Sequence, residues 1–175
     1  KVGLNVPKEY ATLIDAAAGG AGVGLKLAAN IGAMLLAFVA LVAMINAGLG
    51  VIGTSLQEIF GFVFAPVSWA MGVPWSEAST FGNLLGTKIA VNEFLGYIEL
   101  QRAITDGTLS PRSVIIATYA LCGFANFSSI AIQIGGIGGI APERRGDVAK
   151  LGLRAMFGGA LASWLTATIA GILTA

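Results

Sequence analysis

The chain has 175 residues and a formal net charge of +1; 56% of its residues are hydrophobic and only 11% are charged. A soluble domain averages about 25% charged residues, so this composition excludes most soluble domains. The single cysteine excludes a disulfide framework and a thiolate metal cluster, and the lack of histidine disfavours hydrolase and metalloenzyme chemistry. The near-neutral charge, without a basic run, argues against nucleic-acid binding.

Three stretches of the chain contain no Asp, Glu, Lys or Arg, namely residues 27–57, 113–142 and 155–175. Each stretch exceeds the roughly 20 residues that a helix needs to cross the hydrocarbon core of a bilayer. The 25 glycines suit the close packing of membrane helices. We therefore expect an all-α polytopic membrane protein.

The first two predicted elements are a spanning helix and an interfacial helix. Residues 1–53 comprise an amphipathic segment followed by a long scaffold transmembrane helix, on which Asn30 and Asn46 are expected to hydrogen-bond to neighbouring helices. Residues 54–74 are rich in aromatic side chains, which collect where a bilayer meets water, so an interfacial helix is predicted there. Pro66 is expected to kink or break it.

Residues 75–103 predict a re-entrant helical hairpin, because neither half of the segment is long enough to cross a membrane alone. We place the break between its two short helices in the run 82–87, which contains two glycines. Lys88 and Glu93 lie in the middle, and ionisable groups inside a membrane usually mark a pathway or site. The alternative is a peripheral amphipathic helix with solvated charges.

Residues 111–141 predict a broken transmembrane helix. Its part Leu121–Ile140 is apolar, yet it contains polar residues and a cluster of glycines, namely Asn126, Ser128, Ser129, Gln133, Gly135, Gly136, Gly138 and Gly139. Within a membrane, irregular backbone is tolerated only where protein buries it or where it lines a cavity, and interrupted helices mark transporter binding sites. We interpret the stretch as one wall of a solute site; the alternative is an ordinary spanning helix with small residues for packing. Residues 151–175 predict the last transmembrane helix.

The distribution of Lys and Arg predicts the orientation of the chain. If the first span, the broken helix and the last span cross and the hairpin does not, the side richer in these residues is the cytoplasmic one. The loop that contains PERRGD (142–147) is then cytoplasmic, and the C-terminus lies outside. Residues expected on the cytoplasmic side are Lys1, Lys8, Lys26, Arg144, Arg145, Lys150 and Arg154, against Arg102 and Arg112 on the other.

Three segments resemble the concentrative nucleoside transporter family. They read IDAAAGGAGVGLKLAANIGAMLLAF (Ile14–Phe38), GTKIAVNEFLGY (Gly86–Tyr97) and CGFANFSSIAIQIGGIGGIAPERR (Cys122–Arg145). The resemblance extends from about residue 14 to residue 170, and the NEF and CGFANFSS motifs are specific because they combine unusual membrane residues in order. It implies a C-terminal half of a bacterial cation–nucleoside symporter that works as a homotrimer in the inner (cell) membrane.

The resemblance also implies what this chain does not contain. The family has an N-terminal half whose first re-entrant hairpin carries a Gly-Gln-Thr-Glu motif, and that half supplies most nucleobase contacts and the sodium site. We therefore expect the ligands of the coupling ion, Na+ or H+, to lie mostly outside this chain, with no metal site and no other cofactor here. The chain's own N-terminal half, the lipid bilayer and nucleosides such as uridine and adenosine are its expected partners.

The family's ribose-contacting positions match Glu93, Phe124, Asn126 and Ser129. A carboxylate accepts hydrogen bonds from vicinal hydroxyls, an amide both donates and accepts, and a serine supplies a hydroxyl. If the segment is locally helical, Asn126 and Ser129 share a face, since they are three residues apart. Asn92 and Lys88 are weaker candidates, because each has a structural alternative. Asn92 is also suited to fixing the conformation of the hairpin, and Lys88 is also suited to neutralising a carboxylate or a helix end.

These observations favour a secondary active transporter that couples nucleoside uptake to a cation gradient by alternating access. A second reading is a structural or channel-forming membrane subunit, in which Glu93 ties the hairpin to the broken helix. An integral-membrane enzyme is disfavoured, because the chain has no histidine and no evident pair of nucleophile and base.

Overall fold

The computed structural model describes residues 10–174, apart from the side chains of residues 30, 31, 34, 35, 38 and 138–140. The predicted amphipathic segment up to residue 9 lies outside this description. The described residues form helices without any strand, which confirms the all-α prediction. The helices are α1 (Leu13–Gly50), α2 (Leu56–Ala70), α3 (Trp75–Ala90), α4 (Glu93–Thr105), α5 (Pro111–Leu121), α6 (Phe127–Ile140) and α7 (Arg145–Leu173), and a 3-10 turn (Pro142–Arg144) precedes α7.

The long helix α1 has 38 residues, which at 1.5 Å per residue make it about 57 Å long. Its C-terminal end is tied to α2 through Asn46. The Asn46 amide donates to Oε1 of Gln57 at 2.9 Å, and its Oδ1 accepts from the backbone N–H of Leu56 at 2.8 Å. The helix-to-helix role predicted for Asn46 is thus confirmed, whereas the side chain of Asn30 lies outside the described residues.

Helix α2 continues through Pro66, so the predicted break at this proline is wrong. A capping box formed by Ser55 and Glu58 starts the helix, satisfying backbone donors that would otherwise have no partner. Pro66 lies on the exposed side of the helix, away from the face that packs on α3. Packing on the opposite face outweighs the one hydrogen bond that the proline removes.

Helices α2 and α3 are bent by 118° relative to each other and pack face to face through small residues. Gly61 and Ala65 form the buried stripe of α2. A Cβ added to Gly82 would lie 2.6 Å from the carbonyl oxygen of Gly61, and one added to Gly86 would collide with Cβ of Phe60. The break predicted at 82–87 is therefore wrong, because these glycines lie inside α3 and allow its close approach to α2.

The interruption instead lies at Val91–Asn92, where α3 ends and α4 begins. Asn92 is the N-cap of α4, and its Oδ1 accepts from the backbone N–H of Leu95 at 2.9 Å. A second interruption, at residues 122–126, separates α5 from α6. The Tyr97 hydroxyl of α4 donates to the carbonyl oxygen of Thr118 in α5 at 2.8 Å, so the helices that flank the two breaks are joined.

The apolar core lies where α3, α5 and α7 meet. Phe81, Leu85, Ile116 and Leu121 are completely inaccessible to solvent. Arg112 closes one end of this core: its guanidinium donates to the carbonyl oxygens of Gly171 at 3.1 Å and Gly72 at 3.2 Å. The bond to Gly171 satisfies a carbonyl in the last turn of α7.

Among the described residues, one helix, Pro142–Leu173, is long and apolar enough to cross a membrane. The bent pair α2–α3 meets the same criteria only if its two helices are counted together. Shorter apolar segments occur at Val39–Gly50 in α1 and Phe127–Ile137 in α6. Length and composition alone thus identify one spanning helix in this part of the chain.

The close contact of α2 and α3 predicts that Gly86→Ala destabilises the protein. The added methyl group collides with Cβ of Phe60, and overpacking of this kind costs about 1–3 kcal/mol. Thermal unfolding of the purified protein in detergent measures the loss as a lower midpoint.

Gly48→Ala is the matched control, since a Cβ at Gly48 meets no atom within 4 Å among the described residues. Alanine also has the higher helix propensity, so the control should keep or raise the midpoint. Equal midpoints for the two variants would contradict the packing role of Gly86.

Candidate functional site

The candidate site lies where the N-termini of α4 and α6 meet. Glu93 is the first residue of α4, and Asn126 is the N-cap of α6. Nδ2 of Asn126 donates to Oε2 of Glu93 at 2.9 Å, which joins the two interrupted elements through side chains 33 positions apart. Helix N-termini favour negative charge, so both helix ends suit a carboxylate at this point.

Asn126 and Ser129 interlock in a capping box. Oδ1 of Asn126 accepts from the backbone N–H of Ser129 at 2.7 Å, and Oγ of Ser129 accepts from the backbone N–H of Asn126 at 3.2 Å. Asn126 has extended backbone angles of −149° and 169°. Asn126 is therefore not helical, so the condition for a shared helical face is not met, and the cap of α6 joins the two residues instead.

Ser128 is a residue that sequence reasoning noted as polar but did not assign to the site. Its hydroxyl lies 3.0 Å from the carbonyl oxygen of Val91 and 2.7 Å from Oδ1 of Asn126. A hydroxyl has one proton, so the two acceptors share it. Ser128 therefore connects the break before α4 to the break before α6. The sequence signal that could have assigned Ser128 to the site is its position next to Asn126 in an otherwise apolar stretch.

The solvent-exposed fraction of the candidate residues decreases from Phe124 towards the N-terminal cap of α6. Phe124 is 51% exposed and Glu93 is half-buried, whereas Asn126 is 0% exposed and Ser129 is 2% exposed. A cavity of about 410 Å³ opens beside Phe124 and Ser129, between the break, α6 and α7. Gln133 also lines this cavity, but Glu93 and Asn126 do not. Hydrogen bonds thus join Glu93, Asn126 and Ser129, and Phe124 lines the same cavity as Ser129.

Asn92 and Lys88, the weaker candidates, have different surroundings. Asn92 is 8% exposed and its side-chain oxygen caps α4, as the predicted role in fixing the hairpin requires. Lys88 is completely buried in α3, and its Nζ has no hydrogen-bond partner among the described residues. A Cβ added to Gly123 would lie 3.7 Å from Nζ of Lys88, so the ammonium group faces the break before α6. No carboxylate in the described part of the chain lies within 4 Å of it.

The group is suited to recognising a polyhydroxylated molecule rather than to breaking bonds. Oε1 of Glu93 has no donor among the described residues, and Nδ2 of Asn126 has a second proton beyond the one that Glu93 accepts. The exposed ring of Phe124 adds an apolar surface nearby. Within residues 10–174, no cluster of three or more Asp, Glu, Cys or His side chains is placed to hold a metal ion.

The family described as "Na+ dependent nucleoside transporter C-terminus" matches residues 3–171 of this chain. The transporter YutK of Bacillus subtilis is 50% identical over 93% of the chain and 41% of its own length. The nucleoside permease NupC of Helicobacter pylori is 43% identical over 94% of the chain and 42% of its length. Sodium/nucleoside cotransporter 1 of Mus musculus is 42% identical over 92% of the chain and 28% of its length.

Solved structures of CNTnw show the same fold. CNTnw in an inward-facing substrate-bound state is 45% identical, with a TM-score of 0.83 over 99% of this chain and 42% of that chain. A CNTnw variant in a state described as intermediate 2 is 44% identical, with a TM-score of 0.88 over 96% of this chain and 44% of that one. The chain therefore spans less than half the length of the relatives it matches.

The match covers almost the whole chain and includes both motifs on which the sequence resemblance depended. It confirms the predicted family, and it places the chain among multi-pass membrane transporters rather than enzymes. The chain belongs to the Na+-dependent, or concentrative, nucleoside transporter family, of which it represents the C-terminal region.

Proposed function

We propose that this chain forms the ribose-binding part of a cation-coupled nucleoside symporter. The observation that carries the proposal is that Oε1 of Glu93 and one amide proton of Asn126 have no partner among the described residues, near the exposed ring of Phe124. The hydrogen bond between Asn126 and Glu93 is the tie that the second reading also predicts, but it leaves these two groups available to a ligand. The names of NupC of Helicobacter pylori and of the mouse cotransporter support nucleosides as the substrate class.

Glu93 is the primary ribose ligand in this proposal. Its free Oε1 accepts a hydrogen bond from one ribose hydroxyl, and Oε2 remains on Asn126. Hydrogen bonds to charged groups are the stronger ones, worth about 1.5–3 kcal/mol each. The second N–H of the Asn126 amide donates to the oxygen of a neighbouring hydroxyl. Glu93 and Asn126 together therefore bind two adjacent hydroxyls of the ribose.

Ser129 and Phe124 complete the site from the cavity wall. Oγ of Ser129 donates to the carbonyl oxygen of Asn126 at 2.7 Å and accepts from its N–H, so its main role is to hold Asn126 in place. Its remaining lone pair is available to a ribose hydroxyl. Phe124 packs against the apolar face of the sugar. Asn92 acts as a cap, and Lys88 acts at the break rather than on the substrate.

The binding site is completed by residues outside this chain. YutK and NupC are each more than twice as long as the region that matches this chain. We propose that an N-terminal half supplies the nucleobase contacts and most ligands of the coupling ion. The sodium-dependent relatives favour Na+ over H+ as that ion. The active assembly is a homotrimer in a bacterial cell membrane, with α1 in its scaffold.

The membrane arrangement that fits this function has α1 and α7 as spanning helices and α2 at the interface. Helices α3 and α4 form a re-entrant hairpin with its tip at Val91–Asn92, and α5 and α6 form the broken span. The PERRGD loop faces the cytoplasm and the C-terminus lies outside. The two tips meet at the site, so the hairpin and the broken helix carry the substrate together as access alternates.

Glu93→Gln in the intact protein that carries this chain tests the ribose assignment. Replacing the carboxylate by an amide removes a charge-assisted bond, so the apparent affinity for uridine should fall at least about tenfold. A uridine analogue without the 2′ and 3′ hydroxyls should lose much less. Uptake into proteoliposomes at matched protein levels measures both affinities.

Glu99→Gln is the control, because Glu99 lies on the same helix but pairs with Arg102 on the exposed surface. Surface pairs contribute little to stability, so this variant should transport like the parent. Unchanged uridine affinity in Glu93→Gln, or an equal loss for both substrates, would refute the ribose contact.

Ion coupling is tested by imposing a sodium gradient or a proton gradient on the same proteoliposomes. We expect a sodium gradient to drive uridine to a higher concentration inside than outside, and excess adenosine to inhibit that uptake. Radiolabelled uridine at steady state gives the accumulation ratio.

Only gradient-driven transport concentrates a solute, since a channel equalises the two sides. Accumulation under a proton gradient alone would replace Na+ by H+ in the proposal. Uptake that never exceeds the outside concentration would favour the channel-forming subunit.

A further inference from the structure

We propose that the cytoplasm-proximal end of α7 binds the headgroup of an anionic phospholipid. The binding surface, called the basic face below, consists of Arg144, Asp147, Lys150, Leu151 and Arg154. These residues line a shallow groove of about 480 Å³. The proposal concerns neither the ribose site nor the coupling ion, and it rests on the proposed membrane arrangement, in which α7 spans the membrane with its N-terminal end towards the cytoplasm.

The spacing of the basic face places its charges on one side of the helix. Four of its residues follow one another at intervals of three, one and three, which is the pattern of a single helical face: Asp147, Lys150, Leu151 and Arg154. All of them are exposed. Three cations and one carboxylate give the face a net positive charge.

The cations are not equally available. Arg144 donates to Oδ2 of Asp147 at 2.8 Å, so this pair neutralises itself. Lys150 and Arg154 have no carboxylate within 4 Å in the part of the chain that the structure describes. They are one helical turn apart, about 6 Å along the axis, and can close on one phosphate group. The guanidinium of Arg154 can bind two phosphate oxygens at once, while Lys150 adds a point charge.

The depth of the basic face in the membrane matches the headgroup layer. From Ala155 to the end of α7 at Leu173 the helix has no charged residue, and this segment is about 28 Å long. The hydrocarbon core is about 30 Å thick. With that segment in the core, Arg154 lies at the boundary and Lys150 lies one turn further out, where phosphates are found.

An apolar strip continues from the basic face towards the membrane centre and suits the acyl chains of the same lipid. Exposed apolar side chains occur at every fourth position, each at least 52% accessible: Leu153, Phe157, Leu161, Leu165, Ile169 and Leu173. A soluble phosphate ester would use only the cations. The combination of cations at headgroup depth with an apolar strip below them favours a phospholipid.

The test measures lipid binding to the intact protein in detergent micelles. Short-chain phosphatidylglycerol is titrated, and the rise in the unfolding midpoint gives an apparent affinity, since a ligand that binds the folded state stabilises it. Lys150→Gln combined with Arg154→Gln should weaken this affinity about 30-fold, from roughly fivefold per basic residue at a membrane surface. Phosphatidylcholine should stabilise the parent protein and the variant equally.

Arg102→Gln removes a cation that is expected on the opposite side of the membrane and should leave the phosphatidylglycerol affinity unchanged. Lys150→Arg combined with Arg154→Lys keeps both charges and should retain most of it, which separates charge loss from misfolding. Inorganic phosphate at the same concentration should stabilise neither protein.

Three results would overturn the proposal. A parent protein that does not distinguish phosphatidylglycerol from phosphatidylcholine has no anionic lipid site. Equal losses in the test and control variants would indicate general attraction to charge. Stabilisation by inorganic phosphate equal to that by the lipid would indicate a soluble anion site instead.

Discussion

The side chain of Asn126 is the group on which the candidate site depends, because one amide performs two tasks. Its oxygen caps α6 by accepting from Ser129, and its nitrogen binds the carboxylate of Glu93. Lipid provides no hydrogen bonds, so a helix that begins inside a membrane protein must satisfy its first N–H groups from protein. The requirement of the backbone therefore brings an amide to the place where a carboxylate needs a partner, so one residue serves both the fold and the proposed recognition.

Sequence alone predicted the helical class, the family and an interruption somewhere within residues 111–141, but not its position at residues 122–126. These inferences depended on composition and on motifs whose polar residues lie close together in the chain, such as Asn126, Ser128 and Ser129. The group of candidate residues could likewise be predicted, because the family motifs contain all four main members. A tie from Glu93 to the broken helix was one of the two readings of the sequence, but its partner Asn126 could not be predicted, because the bond joins residues 33 positions apart and depends on how α3, α4 and α5 pack.

The errors have a common physical origin, namely that glycine and proline have more than one structural use. Gly82 and Gly86 suggested a flexible break, but α2 approaches α3 so closely that only glycine fits at these positions. Pro66 suggested an end to α2, yet it lies on the exposed side, where its ring disturbs no packing. Neighbours in space decide between such uses, and a sequence without its fold does not show them.

The burial of Lys88 has a consequence for the stability of this region. An amino group without a hydrogen-bond acceptor among the described residues is costly to keep away from water. An acceptor brought to Nζ from outside the described residues would remove part of that cost, so it would stabilise the folded form. Because Nζ faces the break before α6, the stability of α3 depends on what lies against that break.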